Sequence, residues 1–296
     1  MCTYSRKGMK PGRGLDTQPE WPKNEAVLTH VLHLPTAPVS RFVENMWLVR
    51  GRVQQASRQM LLPDGAMVVI FNLGEPQRLC ERTDVRRHTI FRASWVSGQH
   101  PQPIVIEQAG AYHLAGIRFR PGGAFPLFRF SLAELTGRVV ELEDIWGHEA
   151  AAVREQLGEM RGDAALLRDL ERWLAQRLRR EPDPDERISY AAAMLQRGGT
   201  GVGRIAAEAN LSHKHLVHEF TRRVGMAPKH FGRVQRLQRT IRFVGQRQRA
   251  DWPEVALANG FYDQAHLINE FRSLTGLTPA DYLARRSPYL GYLNVA

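Results

Sequence analysis

The chain has 296 residues, with 41 Lys and Arg against 30 Asp and Glu, and a formal net charge of +11. Its hydrophobic fraction of 43% and charged fraction of 24% are typical of folded globular proteins and exclude wholesale disorder. The sequence contains no apolar run of the roughly 18 residues that a membrane span needs, and its two cysteines, Cys2 and Cys80, exclude a disulfide framework. We therefore expect a cytoplasmic protein of two domains, whose positive charge suits a polyanionic partner.

The first half of the chain is predicted to be rich in β-strands. Residues 1–24 are polar and basic and predict a flexible tail. Short apolar segments then alternate with turn residues, and the clearest strands are Ala66–Leu73, Ile104–Ile106 and Tyr112–Phe119. We expect a β-sandwich or barrel of cupin type, because a lone sheet would leave one apolar face in water. Either face of Tyr112–Phe119 could line a pocket for a small molecule, or both could be plain core.

Helices are predicted to follow the strands, over Ala124–Phe130, Glu149–Met160 and Asp163–Arg180. The last of these carries a stripe of leucines at helical spacing, which is either a dimerisation surface or a cover for the β-rich part. The segment from Glu181 to Asp185, with two prolines, predicts a linker. The expected division is a β-rich sensing or dimerisation domain with C-terminal helices at 25–180, a linker at 181–186, an all-helical domain at 187–285 and a tail at 286–296. The predicted fold class is thus a multidomain α+β chain.

Positive charge is concentrated near the C-terminus. From residue 186 onward the chain has 16 Lys and Arg against 8 Asp and Glu, so most of the surplus lies in this region. Between Lys229 and Arg249 there are seven basic residues and no acid. A solvated helix face usually interleaves Glu for i,i+4 pairing, so an acid-free basic helix favours contact with phosphates.

A weak duplication occupies the last hundred residues. Each copy begins with a short Ala-rich helix, at Ile205 or Val255, and continues through a turn into a second helix that buries Leu and Phe one turn apart. This pattern predicts two helix-turn-helix units. The turn and N-cap positions are Asn210 and Ser212 in the first copy and Gly260 and Asp263 in the second.

The outer faces of the two second helices carry basic, imidazole and amide side chains, which suit base edges and phosphates. The connecting basic helix could hold the two units about one turn of DNA apart, ~34 Å. The candidate DNA-binding residues are Ser212, Lys214, His215, His218, Thr221, Arg222, Gln264, His266, Asn269 and Arg272, with Arg233 and Arg236 of the basic helix expected to contact phosphate or neighbouring helices.

The two copies also carry a recognisable pattern of residues. It includes Ile205-Ala206 and Leu211-Ser212 in the first copy, and Val255-Ala256, Gly260-Phe261, Asp263-Gln264, Leu267, Phe271-Arg272, Gly276-Leu277-Thr278-Pro279 and Tyr282 in the second. On these residues, Arg187–Arg285 resembles the AraC/XylS family of bacterial transcription regulators. The resemblance implies seven helices forming two helix-turn-helix units, recognition helices in successive major grooves, and activation or repression of promoters, often with RNA polymerase as a partner.

The N-terminal part resembles an uncharacterised β-rich domain found in some of these regulators. Its recognisable phrases are Leu61-Leu62-Pro63-Asp64-Gly65 and Phe119-Arg120-Pro121-Gly122-Gly123. This second resemblance implies no ligand. The expected partners are double-stranded DNA, a small-molecule effector, RNA polymerase and a second copy of the chain; no membrane partner is expected.

No catalytic residue, metal site or cofactor is assigned. Among His213, His215 and His218 only the last two share a helix face, and no cysteine lies near them. We expect a regulator rather than an enzyme. The alternatives are a cupin-like β-barrel enzyme with an accessory nucleic-acid module, against which the missing metal triad argues, and a nucleic-acid binder without sequence preference.

Overall fold

The computed structural model describes residues 27–82, 84–179, 181–245, 247, 250–287 and 291–295. The tail predicted over residues 1–24 lies outside this part of the chain. Within these described residues, nine strands form one sheet: β1 Val27–His33, β2 Val43–Leu61, β3 Val68–Asn72, β4 Gln77–Cys80, β5 His88–Phe91, β6 Ser94–Ser97, β7 Ile104–Phe119, β8 Val139–Glu141 and β9 Tyr292–Val295.

The sheet is antiparallel and open. Its strand order is β1-β2-β7-β3-β6-β8, with β4 and β5 attached beside the first half of β7 and β9 attached to the end of β2. Because β1 and β8 end the path and do not pair with each other among the described strands, the sheet is not closed into a barrel, and that part of the prediction is corrected. Helices, rather than closure of the sheet, cover its apolar face.

Four helices follow the main strands: α1 Phe125–Phe128, α2 Glu143–Trp146, α3 His148–Glu159 and α4 Asp163–Leu178. The leucine stripe of α4 is buried in one core cluster with Val69, Phe71 and Ile117 of the sheet. The stripe therefore covers the sheet and is not free to receive a second chain. We call β1–β8 with α1–α4 the sheet region.

Both faces of the Tyr112–Phe119 segment are packed. Ala115, Ile117 and Phe119 lie in the core beneath α3 and α4. On the opposite face, Tyr112 and Leu114 join a second cluster with Phe91 and Trp95. Of the two alternatives, a pocket lining or plain core, the structure shows core packing.

The described residues between 186 and 287 form seven helices, the number that the family resemblance implies. They are α5 Glu186–Arg197, α6 Val202–Glu208, α7 His213–Val224, α8 Pro228–Gly245, α9 Trp252–Ala258, α10 Gln264–Thr275 and α11 Pro279–Arg285. The side chains at the repeat's predicted core positions, including Leu216, Phe220, Leu267 and Phe271, are buried together. We call α5–α11 the helical region.

The prediction of a tail over residues 286–296 is corrected, because a strand lies within this range. Tyr292–Val295 forms β9, which pairs antiparallel with the end of β2, with Met60 opposite Leu293. Leu293 is 1% exposed and packs into the core of the helical region. The strand β9 therefore contributes backbone hydrogen bonds to the end of β2 and the Leu293 side chain to the core of the helical region.

A second contact joins the two regions through the Leu61–Gly65 phrase. The Leu62 side chain is 5% exposed and lies in the core of the helical region. Nε2 of Gln235 donates to the Asp64 carbonyl at 3.0 Å, and Nε2 of Gln238 donates to the Pro63 carbonyl at 2.7 Å. Two amides of α8 are thus satisfied by backbone of the sheet region.

We expect Asp263→Ala to lower the free energy of unfolding by about 1 kcal/mol, because it removes an N-cap. Oδ1 of Asp263 accepts the His266 amide N–H at 2.7 Å at the start of α10. Asp251 is the matched control, since it is the N-cap residue of α9 and makes no side-chain capping bond. Urea unfolding of both alanine variants tests this prediction, and equal losses would contradict it.

Candidate nucleic-acid interface

The first helix-turn-helix unit consists of α6 and α7. Asn210 in the turn adopts a left-handed conformation with φ of 54°, which asparagine tolerates better than most residues. Oγ of Ser212 then accepts the His215 amide N–H at 3.2 Å and caps α7. The recognition helix α7 ends at Gly225, whose φ of 97° stops it.

The second unit, α9 and α10, repeats this design. Gly260 takes the left-handed turn position with φ of 75°, and Asp263 takes the place of the capping serine. The recognition helix α10 is 12 residues long, as is α7, and ends at Gly276 with φ of 78°. The two copies of the sequence pattern therefore fold into two units of the same construction.

The predicted DNA-binding residues divide into two groups by exposure. In α7 the candidate side chains near the start of the helix are open to solvent and those near its end are partly covered, whereas in α10 the order is reversed; the candidates on α8 are partly covered. Exposed are Ser212, Lys214, His215, His218, Asn269 and Arg272; partly buried are Thr221, Arg222, Gln264, His266, Arg233 and Arg236.

In the second unit, a buried carboxylate organises the basic side chains. Glu270 is 9% exposed and accepts two hydrogen bonds from Arg236, at 2.9 and 2.6 Å. Nε of Arg233 and Nε2 of His266 each lie 3.6 Å from the same carboxylate. Arg236 also donates to the Gly260 carbonyl at 3.1 Å and lies 4.7 Å from the centre of the Phe261 ring. It thus ties α8 to α10 and to the turn.

Glu219 has the corresponding role in the first unit. Its carboxylate accepts two hydrogen bonds from Arg222, at 3.2 and 2.8 Å, and one from Arg223 at 2.9 Å. The guanidinium groups of Arg222 and Arg223 lie 4.6 and 4.9 Å from the centre of the Phe125 ring in α1. The end of α7 is therefore attached to the sheet region by stacked cations.

The hydrogen bonds from Arg222, followed by those from Arg223, hold the pKa of Glu219 at about 2 although burial opposes this shift. A folded pKa below the unfolded value stabilises the fold fully above the unfolded pKa, about 4.3, and this stabilisation is lost as the pH falls toward 2. We therefore expect Glu219→Gln to lower the free energy of unfolding at neutral pH. We also expect this free energy to depend less on pH in the acid range, because the titrating carboxylate is removed.

Urea unfolding at a series of pH values measures this effect. Glu186→Gln, an exposed acid in the first turn of α5, serves as the control and should keep the wild-type slope. If the unfolding free energy of Glu219→Gln fell with decreasing pH as steeply as that of the wild type, the Glu219 carboxylate would not be the source of this pH dependence.

The basic helix α8 uses several of its charges inside the protein. Besides Arg233 and Arg236, Arg239 donates to the Gln196 carbonyl at 2.6 Å, and burial lowers its pKa. Lys229 and Arg242 remain exposed. The counter-charge for the arginines of the acid-free helix α8 is therefore Glu270. Because Glu270 belongs to α10, the spacing of charges along α8 could not reveal it.

One loop of the sheet region contacts the C-terminal ends of both recognition helices. The Gln99 amide donates to the Val224 carbonyl at the end of α7, and the Gln102 amide donates to the Ser273 carbonyl near the end of α10 at 3.2 Å. The hydroxyl of Thr136 donates to the Gly225 carbonyl. The C-terminal ends of both recognition helices are therefore in contact with the sheet region.

Two exposed side chains of the second unit were missed by sequence reasoning. Tyr262, in the turn just before α10, is 92% exposed, and Leu257 on α9 is 80% exposed. Tyr262 stands where the second copy of the repeat is one residue longer than the first. The additional residue in the second copy was the sequence signal for an additional exposed side chain beside the start of α10.

The described residues contain no group of three or more His, Cys, Asp and Glu side chains that could hold a metal ion. Cys80 is buried, and burial raises the pKa of its thiol. Nor does any helix in this part of the chain have the length and apolar character to cross a membrane. The barrel that the enzyme alternative required is replaced by an open sheet.

Two family models match the chain. Residues 32–141 match a domain of unknown function, DUF6597, and residues 186–285 match a helix-turn-helix domain. The C-terminal region is an AraC-type helix-turn-helix domain. We call residues 186–285 the AraC-type domain, and this domain supports DNA-binding transcription regulation. The search of curated proteins gives no match.

Three solved structures are similar to this chain, at 11% to 20% identity and with TM-scores below 0.5. ToxT from Vibrio cholerae is 11% identical over 78% of this chain and 97% of ToxT, with a TM-score of 0.44. A transcriptional regulator with an AraC-type DNA-binding domain from Chromobacterium violaceum is 20% identical over 33% of this chain and 90% of its own, with a TM-score of 0.31. A DNA-binding transcriptional dual regulator from Escherichia coli K-12 is 20% identical over 33% and 89%, with a TM-score of 0.29.

Proposed function

We propose that the chain is a sequence-specific transcription regulator that inserts α7 and α10 into two successive major grooves of a promoter. The observation that carries this proposal is the arrangement of the two recognition helices. Both are capped at their N-terminal ends by a side chain, and both contact one loop of the sheet region near their C-terminal ends. Both also expose polar side chains, near the start of α7 and from the middle of α10 onward. In helix-turn-helix proteins the N-terminal residues of the recognition helix contact base edges.

The contacts inside the protein suggest different roles for the candidate residues. Lys214, His215 and His218 on α7 are exposed and assigned to one groove. Asn269 and Arg272 are exposed on α10 and, with the partly buried Gln264, are assigned to the other. The remaining candidates support these contacts: Ser212 caps α7, Glu270 holds Arg233, Arg236 and His266, Glu219 holds Arg222, and Thr221 bonds the Val217 carbonyl.

The experiment that tests the proposal compares DNA affinities as salt is raised. The fragment upstream of the chain's own gene and a random sequence of equal length are titrated with purified protein from low to physiological salt. Phosphate contacts lose affinity steeply with salt and carry no sequence information, whereas base contacts preserve a preference. We expect the ratio of affinities to favour the promoter throughout, and equal affinities at high salt would indicate a binder without sequence preference.

We expect Asn269→Ala to weaken promoter binding by roughly 1–3 kcal/mol, because an asparagine amide can make two hydrogen bonds to adenine in the major groove. The loss should appear as relaxed preference in one half of the binding site. Competition binding against sites mutated in each half measures it. Gln54→Ala, which removes an exposed amide from β2 of the sheet region, is the control. A uniform loss on all sequences would mean that Asn269 contacts only the DNA backbone.

The sheet region is proposed to control this activity, through a small-molecule effector or through pairing of two copies of the chain, with RNA polymerase as the partner at the promoter. The division into 25–180, 181–186 and 187–285 belongs to the same proposal. Its support is that α4 ends at Leu178 and α5 begins at Glu186, while the Leu61–Gly65 phrase and the loop at Gln99 contact the AraC-type domain.

A further inference from the structure

A groove opens on the helical side of the sheet region, away from the strands. It has a volume of about 670 Å³, within the range of sites for small organic ligands. Its apolar wall comes from α1, α2 and the residues between them, and its polar rim from α2, α3, α4 and the segment after α4. The apolar side chains of the wall are Leu127, Phe128, Phe130, Ile145 and Trp146.

The aromatic rings of this wall form a connected cluster. The ring centres of Phe128 and Trp146 lie 5.3 Å apart, and those of Phe128 and Phe130 lie 5.9 Å apart. Trp173 extends the cluster at 5.8 Å from Trp146. The faces of such rings attract planar cations electrostatically.

The charges on the rim favour a positive ligand. Arg177 and Arg129 line the groove, and each is already paired with a carboxylate, Glu149 and Glu181 respectively. Asp144 also lines it, is exposed, and has no ion pair among the described residues. Among the described residues that line the groove, three acids therefore stand against two arginines.

The protein itself places a planar cation at this position. The guanidinium carbon of Arg177 lies 4.5 Å from the centre of the Trp146 ring and 5.9 Å from that of Trp173, while the same group is paired with Glu149. This is a flat delocalised cation resting on an indole beside a carboxylate. The groove is therefore built of the groups that such a cation requires.

The Glu181 pair shows where a second cation can be exchanged. The Glu181 side chain is 11% exposed, whereas the side chain of Arg129, its ion-pair partner, is 73% exposed. The largely buried Glu181 carboxylate needs a cation beside it, whereas the mostly exposed Arg129 guanidinium is hydrated by water when it is released. A ligand cation can therefore take the place of the Arg129 guanidinium at Glu181.

We infer that this groove binds a planar organic cation, with its aromatic or delocalised part against Phe128, Phe130 and Trp146 and its positive charge on Glu181. The inference deepens the proposed function and rests on it for the consequence at DNA. Phe125 of the same short helix α1 lies under Arg222 and Arg223 of the recognition helix α7, and Glu181 belongs to the segment between α4 and α5. A ligand that moves α1 therefore acts on α7 through the Phe125 ring, and one that moves the Glu181 segment acts through α5, which packs in the same core as α7.

The test uses three probes of nearly the same shape and different charge. The full-length protein is titrated by calorimetry with 2-naphthamidine, which is cationic, 2-naphthamide, which is neutral, and 2-naphthoate, which is anionic. We expect the amidine to bind at least about tenfold more tightly than the amide, the change that one well-placed charge contact produces. The naphthoate should bind most weakly.

Two variants locate the site. Glu181→Gln should remove the advantage of the amidine over the amide, while Phe130→Ala should weaken both probes together because it removes part of the shared wall. Glu155→Gln, an exposed acid on α3 outside the groove, should change neither. Thermal unfolding of each variant verifies that it is folded, and Phe130→Ala locates the groove even if Glu181→Gln is unstable.

The same probes are then added to protein bound to promoter DNA. The amidine should change promoter affinity in the wild type and not in Glu181→Gln, a comparison that cancels any contact of the probe with DNA itself. Equal binding of amidine and amide, preference for the naphthoate, or an unchanged amidine affinity in both variants would overturn the inference, even if promoter binding is specific. If promoter and random DNA bound equally while the groove discriminated the probes, the proposed function alone would fail.

Discussion

Glu270→Ala is expected to cost about 3 kcal/mol of folding stability and to disable the second helix-turn-helix unit. Removing one partner of a buried ion pair costs about 3–5 kcal/mol because the other charge is left uncompensated. We place the loss near the lower end because the Arg236 side chain remains 23% exposed and Arg233 remains 33% exposed. Denaturant unfolding measures the stability, and promoter titration measures the loss of binding.

The double variant Glu270→Leu with Arg236→Met is the matched control. Replacing both members of a buried pair by apolar side chains of similar size is often neutral for stability. We expect this variant to recover most of the stability lost in Glu270→Ala. If it also recovered promoter binding, Arg236 would act only by positioning α10 and its turn; a persistent loss restricted to one half-site would assign Arg236 to the DNA contact as well. Full stability of Glu270→Ala would contradict the structural role of the carboxylate.

Leu62→Ala is expected to destabilise the AraC-type domain although Leu62 lies far outside it in sequence. The side chain is 5% exposed and packs in the same cluster as Phe231 and Leu237 of α8. Truncating a buried leucine to alanine costs about 2–5 kcal/mol, according to how far the cavity collapses. Denaturant unfolding of the full chain measures the loss.

Leu32 provides the control of identical chemistry, because it is a leucine of β1 that is 62% exposed. Leu32→Ala should change the unfolding free energy by no more than about 0.5 kcal/mol. A Leu62→Ala loss as small as this would mean that the Leu61–Gly65 phrase does not anchor the AraC-type domain to the sheet region.

Features that depend on neighbouring residues could be predicted from the sequence. The recognition helices begin at His213 and Gln264 as expected, because a cap bonds an amide only three residues away. The turn positions were likewise correct, since only glycine and a few polar residues adopt positive φ readily. These local rules were sufficient to find both helix-turn-helix units.

Long strands were predicted only where they are buried. The separate segments Ile104–Ile106 and Tyr112–Phe119 belong to one strand, β7, whose middle residues, 107–111, are half-exposed and polar or small. The 19-residue strand β2 was missed for the same reason, because its stretch from Gln54 to Ser57 is exposed and interrupts the apolar alternation. Pairing between β2 and β7, rather than a local pattern, holds both strands together.

Contacts between distant residues were the other limit of the sequence. The basic helix was expected to find its counter-charge on DNA, whereas Arg236 is 34 residues from Glu270 and bonds it inside the protein. The groove beside Trp146 was missed because its lining comes from separate stretches between Leu127 and Glu181. Phe128 and Phe130, the segment from Asp144 to Glu149 that contains Trp146, and Glu181 lie in three separate stretches of the sequence.

The most direct test of two reading helices in successive grooves is hydroxyl-radical footprinting of the full chain on its promoter. Two helix-turn-helix units separated by one turn of DNA should protect two windows about 10 base pairs apart on the same face of the duplex. Lys214→Ala should weaken one window and Asn269→Ala the other. A single protected window, or two windows that both variants weaken equally, would contradict the account.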